Sequence, residues 1–220
     1  MANAHPPLHA PIDDAELDAL AAQWGTPAHE HVRLEVGDPF LSGPNQQLLK
    51  DGRRAEICYI MHRGDPAQGL LLHIKTVYPA GAFRLPTGGV QVGEPVMATL
   101  AREITEETGL IVGTQPDQVQ VQRLLGVVSY EMVHRQLARS FAFATYHFLV
   151  QMPPAAELVP QDPEEMIGGW EWVTPAQLSA VAQNLSSVGT RQPAWADWGH
   201  YRAVSHRFVA SKFVAGKLGR

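Results

Sequence analysis

The sequence contains little of what secreted and membrane proteins require. Cys58 is the only cysteine among 220 residues, so no intrachain disulfide can form and a reducing compartment is favoured. No apolar run approaches the roughly 20 residues of a membrane helix. The first residues lack the cationic and apolar regions of a signal peptide. We therefore expect a cytoplasmic protein with no membrane partner.

Positive charge is also scarce. The chain has 17 Lys and Arg against 22 Asp and Glu, which gives a formal net charge of −5, and no stretch concentrates the cations. Proteins that bind polynucleotides present a basic face to the phosphates, so we expect no nucleic acid polymer as a partner. A small phosphorylated ligand is compatible with this balance, because local charge or a metal ion suffices to bind it.

Turn residues and hydrophobic periodicity divide the chain into three parts. Residues 1–50 are predicted to be an N-terminal extension that is partly helical, residues 51–185 the main domain, and residues 186–220 a C-terminal helical tail. In the tail, apolar residues recur at helical spacing. We expect this helix to pack on the core of the domain; a contact in a homodimer and a lid over a pocket are the alternatives.

In the extension, Asp13 or Asp14 is predicted to cap a helix that runs to about Trp24, and residues 37–50 are predicted to be a loop. In the main domain, residues 130–140 are predicted to be a polar loop. The predicted strands are 55–62, 69–77, 119–129, 141–152 and 170–173, and the predicted helices are 95–108 and 175–181. Strands alternating with two helices indicate a mixed α/β or α+β domain.

Three glutamates share one face of the helix predicted at residues 95–108. Glu103, Glu106 and Glu107 are separated by helical spacings, so their side chains are neighbours and repel one another. They also lie near the helix C-terminus, where the macrodipole disfavours anions. Solvated acidic faces are common, but selection for helix stability alone would not favour this one. Mg²⁺ or Mn²⁺, by contrast, requires clustered carboxylate oxygens.

The residues that flank these glutamates support a metal site. Thr87 is followed by two glycines, which let the backbone approach the helix and a ligand closely. Arg102 lies four residues before Glu106 and can pair with its carboxylate. Glu94, before the helix, can pair with Arg102 from the other side.

Residues 88–110 read GGVQVGEPVMATLAREITEETGL and resemble the Nudix box. The box consists of Gly, five residues, Glu, seven residues, Arg-Glu, an aliphatic residue, any residue, Glu-Glu, any residue, Gly and an aliphatic residue. Every defined position is filled, and a chance match is on the order of one in 10⁸ per starting point. The strand pattern extends the resemblance over roughly residues 53–183.

The resemblance implies an α/β/α sandwich with a mixed β-sheet, in which the box forms a loop–helix–loop that binds Mg²⁺ or Mn²⁺. It also implies a pyrophosphatase that hydrolyses a small nucleoside diphosphate derivative. Subfamily markers do not settle the substrate, and we favour ADP-ribose or a nucleotide sugar because no feature marks the chain for polynucleotide ends. Carried over by position, the metal ligands are Glu103, Glu106 and Glu107, and the orienting pair is Arg102 and Glu94. The general base is then a box glutamate such as Glu106, or a glutamate from a later loop, for which we favour Glu165, then Glu164, with Glu131 as a third candidate.

Further positions follow from the resemblance or from local charge. Many family members have Pro-Gly-Gly where this chain has Pro86-Thr87-Gly88-Gly89, so Thr87 stands near a backbone carbonyl that often binds metal. Arg84, Tyr130 and Arg135 are candidates for substrate binding, the last two within the predicted loop 130–140. Each is compatible with a merely structural or solvated position.

Two other enzyme activities and one non-catalytic role remain open at this point. Isopentenyl diphosphate isomerases share the fold and need a catalytic cysteine, but Cys58 lies in an apolar strand, where a buried structural thiol is favoured. A nucleoside triphosphate pyrophosphatase would use the same box. Some Nudix domains are ligand sensors, typically after losing box glutamates, all of which are present here.

Overall fold

The computed structural model describes residues 10–37, 40, 53–137 and 139–214. The strands are β1 Ala28–Val36, β2 Ala55–Arg63, β3 Leu70–Lys75, β4 Thr87–Val90, β5 Gln120–His134, β6 Ser140–Met152 and β7 Ile167–Val173. The helices are α1 Asp14–Trp24, α2 Val96–Thr108, α3 Leu178–Ser186, α4 Val188–Arg191 and α5 Ala196–Val214. The predicted loop 37–50 lies almost entirely outside the described residues.

The strands form one mixed sheet in the order β1-β5-β6-β2-β3-β7, with β4 paired to β2. The β1–β5 and β2–β6 pairs are parallel and the other pairs antiparallel. Strand β2 lies inside the sheet, and its residues alternate between two hydrophobic clusters. Ile57 and Tyr59 belong to the cluster covered by α1 and α2, whereas Cys58 and Ile60 belong to the cluster covered by α3 and α5. The predicted α/β/α sandwich is therefore confirmed.

The helix boundaries follow from local residue chemistry. The backbone N–H of Glu16 donates to Asp13 Oδ1 at 3.0 Å, so Asp13 is the cap of α1. Gly109 ends α2 in the left-handed conformation, with φ 76°, and donates its N–H to the Thr105 carbonyl at 2.8 Å. Both ends agree with the predicted helices.

The sheet contains a strand that was not predicted, and one expectation about it was wrong. Strand β1 was not predicted, because its sequence is rich in polar residues and, among the described strands, it pairs with β5 alone. Residues 130–140 are for the most part not a loop, since β5 continues to His134 and β6 begins at Ser140. Tyr130 and Met132 point into the core while their neighbours are half-buried, which is strand alternation that the polar residues conceal.

The two ends of the described chain pack on the same sheet. Helix α5 places Tyr201, Phe208 and Val209 in the core, as expected for the tail. Helix α1 contributes more than apolar contacts. Glu16 Oε1 accepts a hydrogen bond of 2.6 Å from the backbone N–H of Val96, the first residue of α2. Pro95, the residue at the cap position of α2, has no side-chain acceptor, so the N-terminal extension supplies the cap.

Candidate active site

Three carboxylates meet at the C-terminal half of α2. Glu103, Glu107 and Glu165 each offer one oxygen, and these oxygens lie within 4.8 Å of one another. The first two are one turn apart on α2 and are buried, with relative exposures of 4% and 0%. The third comes from the short 3-10 turn Pro163–Glu165 that precedes β7. The fold thus brings together two of the predicted metal ligands and the favoured loop base.

Glu103 is held by the first residues of the box. Its Oε1 accepts hydrogen bonds from the Gly89 N–H at 3.1 Å and from Arg102 Nη1 at 2.8 Å. A Cβ atom at position 88 would lie only 1.9 Å from Glu103 Cγ. The glycine at this position of the box is therefore needed for packing, since the glutamate side chain lies directly on the backbone.

One carboxylate oxygen of Glu107 accepts a hydrogen bond, and the other accepts none from the described residues. Its Oε2 accepts a short hydrogen bond from the Tyr59 hydroxyl. Its Oε1 is buried and accepts no hydrogen bond within the described part of the chain; the Lys75 cation lies 3.2 Å away through Nζ, and His73 Nδ1 lies 3.6 Å away on a ring that burial keeps neutral by lowering its pKa. A buried carboxylate oxygen without a hydrogen bond is unfavourable unless a cation compensates it.

The electrostatics of the cluster also favour an added cation. Burial, and next the Glu107 carboxylate, raise the pKa of Glu103 to about 8. Burial also raises the pKa of Glu107, and Lys75 and Arg84 only partly oppose it. Both shifts mean that the ionised forms are disfavoured in the metal-free protein. Carboxylate oxygens with this spacing and charge fit Mg²⁺ or Mn²⁺.

Lys75 is a cation within the cluster that the sequence analysis missed. Its Nζ forms ion pairs with Glu107 and with Glu165. Burial alone would lower the pKa of Lys75, but the interactions with Glu107, Tyr78 and Glu165 together outweigh burial, so the pKa is raised. Burial likewise opposes ionisation of Glu165, but Lys75 lowers its pKa. The available signal was a lysine within an apolar predicted strand.

The predicted orienting pair is present as an ion pair. Arg102 Nε lies 2.9 Å from Glu94 Oε1, and Nη2 lies 3.2 Å from Glu94 Oε2. Arg102 Nη1 also donates to Glu106 Oε2 at 2.9 Å. The carboxylate cluster found in the described residues does not include Glu106, whose side chain is half-buried against Arg102.

Arg84 and Thr87 lie behind the carboxylates. Arg84 is 2% exposed, and its Nε and Nη2 donate to the Tyr78 hydroxyl at 3.1 and 2.7 Å. Its Nη1 donates to the Leu85 carbonyl and to Thr87 Oγ1, each at 2.9 Å. Because protein oxygens enclose the guanidinium, this placement favours a structural position over direct contact with a phosphate.

The other two predicted substrate-binding residues lie next to helix α5. Tyr130 is 1% exposed, and its ring centroid is 5.1 Å from that of Tyr201. Arg135 Nη1 donates to Asp197 Oδ2 at 3.0 Å. The expectation of a substrate-facing loop needs correction, because Tyr130 belongs to β5 and Arg135 pairs with the first turn of α5. Neither is brought to the carboxylates.

Arg53, which the sequence analysis did not single out, lies beside the cluster. A Cβ atom at position 89 would lie 2.3 to 2.5 Å from its Nε, Cδ and Cζ atoms, so the side chain rests on the Gly89 backbone. Arg53 is also one of the charges that lower the pKa of Glu165. Its buried Nε has no hydrogen-bond partner among the described residues.

Comparison with protein-family models matches the NUDIX domain over residues 52–193. The chain belongs to the Nudix family. This confirms the resemblance found in residues 88–110 and places the chain among hydrolases of acid anhydrides. The match begins after α1 and ends before α5, so both helices lie outside the Nudix domain as the family model defines it. No helix of the described residues is both long enough and apolar enough to cross a membrane.

Several solved structures are similar at low sequence identity. The E. coli dihydroneopterin triphosphate pyrophosphohydrolase is 18% identical, with 64% of this chain and 91% of that chain covered and a TM-score of 0.43. A C. elegans Ap4A hydrolase is 16% identical, with 74% and 98% covered and a TM-score of 0.42. The MutT protein from Bacillus halodurans is 22% identical, with 58% and 72% covered and a TM-score of 0.41. A search of curated proteins returns no match.

Proposed function

We propose that this Nudix protein uses Mg²⁺ or Mn²⁺ to hydrolyse a phosphoanhydride bond in a nucleoside diphosphate derivative, with ADP-ribose or a nucleotide sugar as the first candidate substrates. The observation that carries the proposal is the cluster of Glu103, Glu107 and Glu165, three carboxylates within 4.8 Å of one another in a largely buried site. Buried carboxylates at such spacing are unfavourable without a compensating cation.

We assign the residues of α2 to metal binding. Glu103 and Glu107 are the principal ligands, and Glu106 and the Thr87 carbonyl are further candidates at the same end of the box. The metal, when bound, neutralises phosphate oxygens and lowers the pKa of a coordinated water. Arg102 and Glu94 hold Glu103 and Glu106 in place, because the guanidinium donates to all three carboxylates.

We assign the role of general base to Glu165. Lys75 lowers the pKa of its carboxyl, so the group is ionised at neutral pH and can accept a proton. It lies within the same cluster as the metal ligands, which is where a base must be to act on metal-bound water. Lys75 positions this carboxylate through their ion pair.

The cations beside the cluster match a small substrate. Arg53, whose Nε has no hydrogen-bond partner among the described residues, can donate to a phosphate, whereas Lys75 is paired with two of the carboxylates. Arg53 and a divalent metal suit a diphosphate diester, which carries less negative charge than a nucleoside triphosphate. The overall charge of −5 supports a small ligand over a polynucleotide.

The test is a hydrolysis assay with Mg²⁺ or Mn²⁺ on ADP-ribose, nucleotide sugars, diadenosine polyphosphates and nucleoside triphosphates. We expect cleavage of a diphosphate derivative, and ¹⁸O from water in the phosphate product. Glu165→Gln should abolish turnover, whereas Glu164→Gln, which changes the exposed neighbouring side chain, should not. Preferred cleavage of triphosphates would replace the proposed substrate class. Binding that raises the melting temperature without turnover would replace the hydrolase with a ligand sensor.

A further inference from the structure

Helix α5 contacts the beginning of the Nudix box, although it lies outside the family match. The backbone N–H of Leu85 donates to His206 Nε2 at 3.0 Å, and Arg202 Nη1 donates to Thr87 Oγ1 at 3.1 Å. We infer that Arg202 and His206 are positioning residues, which fix the first residues of β4 and through them the metal ligand Glu103. This inference rests on the proposed metal-dependent function.

The connection from α5 to Glu103 runs through β4. Thr87 is the first residue of β4, and Gly88 and Gly89 follow it. The Gly88 backbone lies directly beneath the Glu103 side chain, and the Gly89 N–H donates to Glu103 Oε1. A shift at the start of β4 therefore moves the backbone against which this ligand packs and the donor that orients it.

Arg202 is itself held in one position. Its Nη1 donates to Glu56 Oε1 and Oε2 at 3.0 and 2.8 Å, and both residues are largely buried. Burial would raise the pKa of Glu56, but Arg202, together with Tyr201 and Arg84, outweighs burial and lowers it. Glu56 lies on β2 opposite Gly89 of β4. The guanidinium therefore connects α5, β2 and β4 at the point where the box begins.

His206 accepts a hydrogen bond from the backbone of the segment that leads into β4. Its Nδ1 lies 2.8 Å from the Arg202 carbonyl, which can only accept, so Nδ1 carries the proton and Nε2 is the acceptor. The Leu85 N–H is the donor to that nitrogen. A buried amide without this partner would be unfavourable, so the ring fixes the backbone at Leu85 as Arg202 does at Thr87.

The same contacts explain the departure from Pro-Gly-Gly in this chain. Thr87 Oγ1 accepts from Arg84 Nη1 at 2.9 Å and from Arg202 Nη1 at 3.1 Å. Glycine at this position would leave both buried donors without that acceptor. Thr87, directly before the box, and Arg202 in the tail thus form a matched pair, which a chain with glycine at this position cannot contain.

The test compares variants of the full chain by calorimetric titration of the metal-free protein with Mn²⁺. Thr87→Val keeps the shape of the side chain but removes the oxygen that accepts from Arg202. His206→Leu removes the nitrogen that accepts from the Leu85 amide. We expect each to weaken Mn²⁺ affinity about 10-fold, the lower end of the range for residues that orient metal ligands. Thr87→Ser and His206→Gln retain an acceptor and should stay within about 2-fold of the unmodified protein.

Ser205→Ala is the matched control for damage to the helix. Ser205 lies between the two positioning residues and bonds to His147 Nε2 at 3.0 Å, not to β4. We expect this variant to lower the melting temperature but to leave Mn²⁺ affinity unchanged. The inference is overturned if Thr87→Val and His206→Leu bind Mn²⁺ like the unmodified protein. Mn²⁺ binding without turnover of any substrate would overturn the hydrolase proposal alone, and no Mn²⁺ binding would overturn both.

Discussion

Gly88→Ala is expected to disable the metal site through a single steric contact. A Cβ atom at this position would lie 1.9 Å from Glu103 Cγ, 2.0 Å from Cδ and 2.5 Å from Oε2. Ordinary van der Waals contact begins at 3.4 Å. The backbone of Gly88 does not have the positive φ that disfavours L residues, so the effect of the substitution comes from this contact and not from backbone strain.

The size of the effect follows from how far the ligand must move. Relieving the clash requires a shift of more than about 1 Å, and a misplacement of that size costs about 10²-fold in rate. Glu103 would also lose its hydrogen bonds with the Gly89 N–H and with Arg102 Nη1. We expect kcat to fall about 10²-fold, which corresponds to about 2.7 kcal/mol, and Mn²⁺ affinity to fall at least 10-fold.

Gly169→Ala is the matched control, measured by the same Mn²⁺ titration and steady-state kinetics. A Cβ atom at Gly169, in strand β7, would meet only Ile74 Cγ2, at 3.8 Å, which is an ordinary contact. We expect this variant to bind Mn²⁺ and turn over substrate like the unmodified protein. Unchanged Mn²⁺ affinity in Gly88→Ala would refute the reasoning, because it would show that Glu103 can move without loss of the site.

Three further predictions concern stability and reactivity. Lys75→Met should lower the free energy of unfolding of the metal-free protein by about 3 kcal/mol, because two carboxylates lose their buried cation. Mg²⁺ should then raise the melting temperature of this variant more than it raises that of the unmodified protein. An equal rise in both proteins would contradict the prediction. Glu16→Ala should lower the free energy of unfolding in urea by about 1 kcal/mol, because the α2 cap and the ion pair with Arg54 are both lost, whereas Asp18→Ala, on the exposed face of α1, should have no measurable effect. Burial raises the pKa of Cys58, so a thiol reagent should label it only in denaturant; rapid labelling of the native protein would favour the isomerase alternative.

The box could be predicted because its information is local. Helix α2 follows from residue spacing, and the same spacing places Glu103 and Glu107 on one face. The position of Glu165 is different, since it depends on β7 pairing with β3, a contact between segments about 90 residues apart. The resemblance supplied that residue as an expectation, and local pattern alone would not have done so.

Lys75 and Arg53 were missed for a related reason. A lysine in an apolar strand has no local partner, and its role becomes visible only when Glu107 and Glu165 are placed beside it. Arg53 precedes a strand, where a cation is usually solvated. The loop expected at 130–140 failed because polar residues on the half-buried face of β5 conceal its alternation.

The tail shows how a polar residue on a helix can mislead. Arg202, Ser205 and His206 have the appearance of a solvated face of α5, yet all three are buried and bonded to other elements. Burying such polar groups is favourable only where hydrogen-bond or ion-pair partners are present. Those partners are Glu56, Thr87, the Leu85 amide and His147, none of which is near the tail in sequence.

The two helices outside the family match therefore act on either side of the loop that joins β4 to α2. Helix α1 caps the start of α2 through Glu16, and α5 fixes the start of β4 through Arg202 and His206. Between these two points lies the loop that joins β4 to α2, with Glu94 and its partner Arg102 across it. Because both ends are fixed from outside, the relative position of Glu103 and the Gly88–Gly89 backbone depends on the extensions. The box residues therefore specify the chemistry of the site, while its geometry depends also on residues that the box pattern does not include.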